Sequence, residues 1–479
     1  MTSAANRWLD DRVSSRRDRV VILGAGPGGY EAALVAAQLG GDVTVVDRDG
    51  VGGACVLTDC VPSKALIAIS DARTRYVEQH GTGGRTSAPA PDLRAVNTQI
   101  TSLASAQSED IELRLKREGV QVVTGRGRLS DTGAAGGGLT VEVESDDDGE
   151  VERLDADFVL IATGAAPRVM AGAEPDGERI LTWQQIYDLP ALPERLVVVG
   201  SGVTGAELAH GYLGLGCEVV LVSSRDRVLP GEDPDAAEVV ENVFRRRGME
   251  VLNRSRAAAV RRVGDGVVVE LQDGRTVEGS HCLLAVGSVP NTGGIGLVRA
   301  GIELTSSGHI EVDRVSRTRV RGVYAAGDCT GVLPLASVAA MQGRIAMWHA
   351  LGDAVTPINL KAVAANIFTD PEIATVGYSE KEIREGQVEA ETIMLPLATN
   401  ARAKMEHLTD GFVKLFARQG TGIVVGGVVV APRASELIFP VALAVAQRLT
   451  VDQIASTFTI YPSLSGSVAE AARQLHVRS

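Results

Sequence analysis

Residues 19–47 read RVVILGAGPGGYEAALVAAQLGGDVTVVD and decide the fold of the first part of the chain. A β-branched run, a glycine cluster, a helical segment and DVTVVD predict a strand, a turn, a helix and a second strand. Gly24, Gly26 and Gly29 have G-x-G-x-x-G spacing, and Asp47 ends the second strand. This unit is typical of dinucleotide binding, because the glycines let the backbone approach a pyrophosphate and the acid can accept from ribose hydroxyls.

The same plan recurs at residues 195–223, which read RLVVVGSGVTGAELAHGYLGLGCEVVLVS. Its glycines are Gly200, Gly202 and Gly205, but Ser223-Ser224-Arg225 follows the second strand in place of an acid. A carboxylate would repel a 2′-phosphate, whereas serine and arginine can bind one. The second site is therefore expected to prefer NADPH, with NADH as the alternative. Two nucleotide sites in one chain indicate hydride transfer between a nicotinamide and a bound flavin.

Length, composition and charge exclude several classes of protein. The chain has 479 residues, of which 45% are hydrophobic and 22% charged, so we expect a globular protein of about two to four domains. Its net charge of −13 disfavours nucleic acid as a partner. No apolar run approaches the roughly 18 residues of a membrane span, and the N-terminus lacks the apolar segment of a signal peptide. A cytoplasmic location without an integral membrane segment is expected.

Residues 52–64 read GGACVLTDCVPSK and place two of the five cysteines, Cys55 and Cys60, close together. In a reducing compartment, such a pair indicates redox chemistry or metal binding rather than a structural disulfide. The other three cysteines, Cys217, Cys282 and Cys329, are interpreted as structural.

The segment 52–64 resembles the redox-active segment of the pyridine nucleotide-disulfide oxidoreductases, the class I flavoproteins of lipoamide dehydrogenase, glutathione reductase and mercuric reductase. The resemblance extends over about residues 19–474, nearly the whole chain. Further motifs that match this family are Ala162-Thr163-Gly164, Ala285-Val286-Gly287, Ala326-Gly327-Asp328, Phe368-Thr369-Asp370-Pro371-Glu372 and Asn400-Ala401-Arg402-Ala403.

The resemblance implies a role for each matching residue. Cys60 would lie against the flavin as the charge-transfer thiolate, and Cys55 would be the interchange thiol that faces the substrate. Lys64 would lie beside flavin N5 with Glu207 as its partner, and a cation there would stabilise the reduced flavin. The residues implied to bind FAD are Gly24, Gly26, Gly29, Asp47, Thr163, Gly164, Gly327, Asp328, Leu335 and Ala336. Those implied to bind NAD(P)H are Gly200, Gly202, Gly205, Ser224, Arg225 and Gly287. No metal site is expected.

The expected fold class is α/β, with two Rossmann-like dinucleotide-binding domains for FAD and NAD(P) and a C-terminal α+β dimerisation domain. The predicted boundaries are 1–168 for the first FAD segment and 169–289 for the NAD(P) domain. Residues 290–355 would form the central FAD segment, and residues 356–479 the interface domain. The resemblance implies a homodimer.

The family pattern breaks near the C-terminus. The family has a His that acts as acid–base toward the interchange thiol of the partner subunit, and a Glu that orients its ring. Tyr461 stands at the His position and Gly466 at the Glu position. A tyrosine hydroxyl is a poor base at neutral pH, and glycine has no side chain to orient a ring. The C-terminal cysteine pair of mercuric reductase is missing as well.

These observations favour an NAD(P)H:quinone oxidoreductase. It would pass a hydride from NAD(P)H to FAD and then electrons to a quinone-type acceptor. Val203 stands where the family often has tyrosine or isoleucine, so no tyrosine would cover the flavin ring. Three alternatives stay open at this point: a dihydrolipoamide dehydrogenase or other disulfide reductase, a soluble NAD(P) transhydrogenase, and a non-catalytic FAD-binding redox sensor or complex subunit.

Overall fold

The computed structural model describes residues 17–80, 91–130, 138–145 and 149–476. The helices of this part are α1 (Pro27–Gln38), α2 (Gly53–Leu57), α3 (Cys60–His80), α4 (Leu93–Arg117), α5 (Val203–Leu215), α6 (Pro234–Arg246), α7 (Ala336–Ala350), α8 (Glu380–Arg384), α9 (Ala401–Met405), α10 (Ala434–Leu437), α11 (Phe439–Gln447), α12 (Val451–Ala455) and α13 (Gly466–Gln474).

The strands of the described part are β1 (Arg19–Leu23), β2 (Asp42–Asp47), β3 (Gln121–Thr124), β4 (Arg126–Leu129), β5 (Leu139–Glu144), β6 (Val151–Ala156), β7 (Phe158–Ile161), β8 (Ala165–Pro167), β9 (Ile180–Thr182), β10 (Arg195–Val199), β11 (Glu218–Val222), β12 (Glu250–Leu252), β13 (Ala257–Val263), β14 (Gly266–Leu271), β15 (Thr276–Gly279), β16 (His281–Leu284), β17 (Ser288–Pro290), β18 (Val323–Ala325), β19 (Ala364–Ile367), β20 (Glu372–Gly377), β21 (Ala390–Pro396), β22 (Phe412–Arg418) and β23 (Val424–Ala431).

The chain divides into two compact units. Unit 1 is formed by residues within 1–57, 104–166 and 289–358, and unit 2 by residues within 58–103, 167–288 and 359–479. The four domain boundaries expected from the sequence remain a prediction. The N-terminal residues used to expect a cytoplasmic location lie outside the described part.

Unit 1 contains a parallel sheet in the order β18-β7-β1-β2-β3. Val20 and Ile22 on the central strand β1 are buried, as expected for a parallel sheet covered on both faces. Helix α1 approaches α7 so closely that a Cβ on Gly343 would lie 2.0 Å from the carbonyl oxygen of Gly28. Glycine at this position therefore permits the contact. Because these strands are parallel, the carboxyl ends of β1, β2, β7 and β18 lie at the same edge of the sheet. Ligands bind at this edge in open α/β folds.

Unit 2 contains a second parallel sheet, in the order β12-β11-β10-β16-β9. Strands β13, β14 and β15 form a separate antiparallel sheet. Cys282 lies in β16 and is fully buried, and Cys217 just after α5 is 3% exposed. Burial raises the pKa of Cys217 to about 12, which favours an inert thiol at neutral pH.

The C-terminal part of unit 2 is an antiparallel sheet in the order β19-β20-β23-β22-β21, with helices α8 to α13. Strand β21 has no fully buried residue, because every position of its AETIMLP sequence is half-buried or exposed. The apolar segment around Phe439 contains α10 and α11, which follow each other through Ile438 in a helical conformation. The expected fold class is confirmed.

One segment of the described residues, Gly53–Glu78, is long and apolar enough to pass a length-and-composition test for a membrane span. The sequence had predicted no run of this kind. Core helices pass the same test, and this segment contains the Cys-x₄-Cys pair.

Candidate active site

The first glycine loop connects β1 to α1 in unit 1. Gly24 has φ of 102°, and a Cβ there would lie 2.2 Å from the carbonyl oxygen of Ala162. A Cβ on Gly29 would lie 1.8 Å from the oxygen of Gly24, whereas Gly26 faces open space. Gly26 is the N-cap residue of α1, and no side chain of the described residues caps this N-terminus. The N–H groups of its first turn can therefore meet a phosphate.

Asp47 braces this loop. Its Oδ2 accepts a hydrogen bond from the Ala25 N–H at 2.6 Å, and its Oδ1 accepts from the N–H groups of Asp49 and Gly50 at 2.8 Å each. Burial raises the pKa of Asp47, and these three bonds oppose the shift. The structure thus places Asp47 at the loop, with three of its lone pairs engaged by backbone donors.

Thr163 and Gly164 follow β7 in unit 1 and bond to Asn291. The Thr163 hydroxyl donates to the Asn291 carbonyl at 2.8 Å, and the Asn291 side chain donates to the Thr163 carbonyl at 2.9 Å. The Asn291 N–H donates to the Gly164 carbonyl at 3.0 Å. Asn291 is not among the residues that the sequence assigns to the FAD site. The structure shows that it fixes the exit from β7.

Gly327 and Asp328 follow β18, also in unit 1. Gly327 has φ of 82°, and burial raises the pKa of Asp328, with the nearby His309 opposing the shift. No donor among the described residues bonds to the Asp328 carboxylate, so a ligand hydroxyl can occupy its lone pairs. Leu335 and Ala336 form the start of α7, whose N-terminus is not capped by a side chain in the part of the chain that the structure describes. An unpartnered half-buried carboxylate and two uncapped helix N-termini in one unit fit a flavin dinucleotide.

The two cysteines of the redox segment lie in successive helices, the short α2 and the long α3. Cys55 is in α2 in unit 1, and Cys60 is the first residue of α3 in unit 2. Both side chains are half-buried. In unit 2, Ser63 donates from its hydroxyl to the Cys60 carbonyl at 3.3 Å, which supports the first turn of α3.

Lys64 and Glu207 form an ion pair in unit 2. The Lys64 Nζ lies 2.8 Å from Glu207 Oε2, and Glu207 is 3% exposed while the Lys64 side chain is 28% exposed. Burial lowers the pKa of Lys64, but the Glu207 carboxylate, Cys60 and Asp59 outweigh it, so the net shift is upward. Lys64 therefore holds a positive charge at neutral pH, four residues after Cys60 in sequence.

The second glycine loop lies in unit 2 between β10 and α5. A Cβ on Gly200 would lie 2.2 Å from the Ala285 carbonyl oxygen, and one on Gly205 would lie 1.9 Å from the oxygen of Gly200. Gly202 faces open space and is the N-cap residue of α5, which has no side-chain cap. The carbonyl of Gly287 accepts from the N–H of Arg168 at 2.9 Å.

The segment after β11 has one buried polar residue, Ser223, followed by two exposed ones, Ser224 and Arg225. The Ser223 hydroxyl is fully buried and lies 2.7 Å from the Ser201 hydroxyl, and it accepts from the Arg225 N–H at 3.2 Å. Ser224 and Arg225 are exposed. Of the three residues, only these two have side chains available to a ligand, and Ser223 instead fixes the loop.

The C-terminal segment places no acid–base pair at the family positions. Tyr461 is 85% exposed, and Gly466 begins α13, with its N–H donating to the Ser463 hydroxyl at 3.2 Å. His476 is held elsewhere, because its Nδ1 lies 2.6 Å from Asp452.

Comparison with known proteins agrees with this geometry. The model of the pyridine nucleotide-disulphide oxidoreductases matches residues 18–343, and that of the dimerisation domain of the same family matches residues 363–472. The chain belongs to this family. Members of this family are enzymes that use FAD and a pyridine nucleotide.

The chain is similar to two named proteins and to one solved structure. The chain is 56% identical to a Mycobacterium tuberculosis protein named NAD(P)H dehydrogenase (quinone), over 95% of this chain and 94% of the relative. It is 34% identical to dihydrolipoyl dehydrogenase 2 of Haloarcula marismortui, over 95% of each chain. It also resembles the crystal structure of LpdA from M. tuberculosis, with 56% identity and a TM-score of 0.92, over 96% of this chain and all of that one.

Proposed function

We propose that this family member is an FAD-dependent NAD(P)H:quinone oxidoreductase. The observation that carries the proposal is an intact Lys64–Glu207 pair, combined with an exposed Tyr461 at the family's histidine position. The name of the M. tuberculosis relative supports the same acceptor. The overall reaction would be NAD(P)H + H⁺ + quinone → NAD(P)⁺ + quinol, which balances two electrons and two protons.

FAD would be held in unit 1 by the residues of its glycine loop and sheet edge. These are Gly24, Gly26, Gly29, Asp47, Thr163, Gly164, Gly327, Asp328, Leu335 and Ala336. When bound, FAD supplies two-electron chemistry between a nicotinamide and a second acceptor. The uncapped start of α1 would bind its phosphates, and the Asp328 carboxylate would accept from its hydroxyl groups.

The residues proposed to act in electron transfer are Cys55, Cys60, Lys64 and Glu207. Lys64 would hold a positive charge where negative charge develops, and Glu207 would fix its position. Cys55 and Cys60 can store two electrons as a dithiol, and release them again when a disulfide forms.

The nucleotide is proposed to bind at the second loop, through Gly200, Gly202, Gly205 and Gly287. Exposed Ser224 and Arg225 would contact a 2′-phosphate. We therefore propose NADPH as the preferred donor, with NADH used less well. A homodimer is proposed from the matched dimerisation domain, and a cytoplasmic location remains a prediction from sequence.

A disulfide reductase is the second candidate, because relatives named dihydrolipoyl dehydrogenase match over 95% of the chain. It would need a general acid–base to protonate the departing thiolate. Tyr461 and Gly466 do not supply the family's pair.

Steady-state kinetics tests the proposal. Rates are measured with NADPH and a naphthoquinone varied against each other, using FAD-loaded enzyme. Parallel double-reciprocal lines are expected, because both reactants use the same cofactor in turn. A dedicated reductase should reach kcat/KM of at least ~10⁴ M⁻¹s⁻¹. Values far below this for every benzoquinone and naphthoquinone tested would overturn the quinone assignment.

A further inference from the structure

The Lys64–Glu207 pair has a third partner, Phe368, which the sequence analysis names only as part of a motif that matches the family. The Phe368 N–H donates to Glu207 Oε1 at 2.9 Å, while Glu207 Oε2 lies 2.8 Å from Lys64 Nζ. The Lys64 ammonium also lies 5.0 Å from the centroid of the Phe368 ring. Each oxygen of this buried carboxylate thus has its own donor, and the ammonium meets both a carboxylate and an aromatic face.

The segment that presents Phe368 is itself fixed. Arg247, just after α6, donates to the Asp370 carbonyl at 2.9 Å and to its Oδ2 at 2.8 Å. The same guanidinium donates to Glu78 Oε1 at 3.0 Å. Thr369 is 1% exposed and donates from its hydroxyl to the Pro371 carbonyl at 2.7 Å. The bonds of Thr369 and Asp370, which follow Phe368 in the chain, therefore fix the position of Phe368.

The contacts form one connected path within unit 2. Glu78 and Lys64 belong to the same helix, α3, so Arg247 contacts both the far part of this helix and the loop that carries Phe368. A shift of the loop would move the N–H and the ring together, because both belong to one residue. Because Glu207 is 3% exposed, a lost N–H bond is not readily replaced by water.

We propose that Phe368 is a positioning residue for the Lys64–Glu207 pair, and that Arg247 positions Phe368. The inference rests on the proposed role of Lys64 beside the flavin. Phe368 acts through Glu207 by its N–H and on Lys64 by its ring. Neither action requires any contact of Phe368 with substrate or cofactor.

The test measures the pKa of Lys64 directly, from the pH dependence of its acetylation in the purified, FAD-loaded enzyme, read by mass spectrometry. The charged groups that act on this lysine are Glu207 on α5, Cys60 on α3 and Asp59 just before it. Phe368→Leu keeps the N–H and removes the ring. The loss of a cation–π contact should lower the pKa of Lys64 by about half a unit to one unit.

Two variants separate positioning from general damage to the fold. Phe368→Tyr keeps the ring and should restore the wild-type profile. Tyr378→Leu removes a ring that lies 4.5 Å from Lys361, and it should leave Lys64 unchanged. An unshifted Lys64 profile in Phe368→Leu, or an equal shift in Tyr378→Leu, would overturn the role of Phe368.

The role of Arg247 has its own measurement. Arg247→Gln should speed amide hydrogen exchange at Phe368 by at least tenfold and shift the Lys64 profile in the same direction as Phe368→Leu. Arg246→Gln is the matched control, because this neighbour pairs instead with Asp410. Faster exchange with an unshifted Lys64 profile would overturn the Arg247 step. No acceptor enters any of these measurements, so a failure of the quinone assignment leaves their outcome readable.

Discussion

At the scale of single residues, nucleotide choice depends on the short exposed segment after β11. The Arg225 side chain is exposed, whereas the buried Ser223 hydroxyl is hydrogen-bonded to Ser201. Arg225→Ala should weaken NADPH binding about ten- to hundredfold, since one charge-assisted contact contributes roughly 1.5–3 kcal/mol. NADH binding should change little. Titrations of both nucleotides against the FAD-loaded enzyme check this.

The matched control is Arg261→Ala, which removes another exposed arginine of unit 2 that pairs with Glu270. It should change neither affinity. Equal losses for NADPH and NADH in Arg225→Ala would mean that this arginine does not recognise the 2′-phosphate.

The residues that form the two glycine loops could be predicted from sequence, because the motif lies within one short segment. Glycine is required where a Cβ would meet the backbone, as at Gly24 against Ala162, and this requirement leaves a fixed spacing. The bond from Phe368 to Glu207 joins residues 161 positions apart. No local pattern predicts it, since it depends on how a strand end meets α5 in the folded chain.

At the scale of elements, a buried ammonium joins α6, α8 and β22. Lys414 Nζ lies 2.8 Å from Asp233, 2.6 Å from Asp235 and 2.8 Å from Glu380, and its side chain is 2% exposed. The three carboxylates are grouped closely enough to bind a metal ion, but the ammonium lies among them. Burial lowers the pKa of Lys414, and its carboxylate partners outweigh it and raise the pKa.

Lys414→Met should destabilise the protein by about 3–5 kcal/mol, because it leaves the buried Asp233 carboxylate, which is 4% exposed, without its cation. Urea unfolding at pH 7 measures this loss. Lys361→Met is the matched control, since Lys361 pairs with Glu382 at a more exposed site, and it should cost less than about 1 kcal/mol. Equal losses of stability in both variants would show that the buried lysine contributes no more than a more exposed one.

The same cluster predicts a pH dependence. Burial alone would raise the pKa of Glu380, but Lys414 and Arg384 lower it overall. A carboxyl with a lowered pKa stabilises the fold above its unfolded value of ~4.5 and loses that contribution as pH falls. In Lys414→Met, protonation instead relieves repulsion among the carboxylates. The stability difference between wild type and variant should therefore shrink from pH 7 to about pH 4; a constant difference would contradict this account.

Element boundaries were less predictable than element types. The two parallel sheets follow from long buried apolar runs with glycine turns. Strand β21 lacks a fully buried residue, so no apolar pattern of its own predicts it, and its position depends on pairing with β22. Between α10 and α11 the backbone stays helical at Ile438, and Pro440 lacks the N–H that would continue the hydrogen bonding.

At the scale of the whole molecule, the proposed homodimer depends on apolar side chains of the matched dimerisation domain. Phe439 is 68% exposed and Ile460 is 81% exposed. Burying one such side chain contributes about 1.5–3 kcal/mol, so Phe439→Asp should weaken self-association at least about tenfold. Sedimentation velocity over a concentration series measures this. Val298→Asp, at an exposed position of unit 1, is the control. A stable wild-type monomer at micromolar concentration would contradict the proposed dimer.

We propose that the chain keeps the residues that hold the flavin and form the dithiol, but lacks the acid–base pair for disulfide substrates. The most direct measurement compares kcat/KM for a naphthoquinone and for lipoamide, with NADPH and one preparation of FAD-loaded enzyme. A positioned acid–base contributes about 10²–10⁴-fold, so lipoamide should be at least about 10²-fold poorer than a quinone that reaches ~10⁴ M⁻¹s⁻¹. Lipoamide turnover equal to or above that of the quinone would contradict the account.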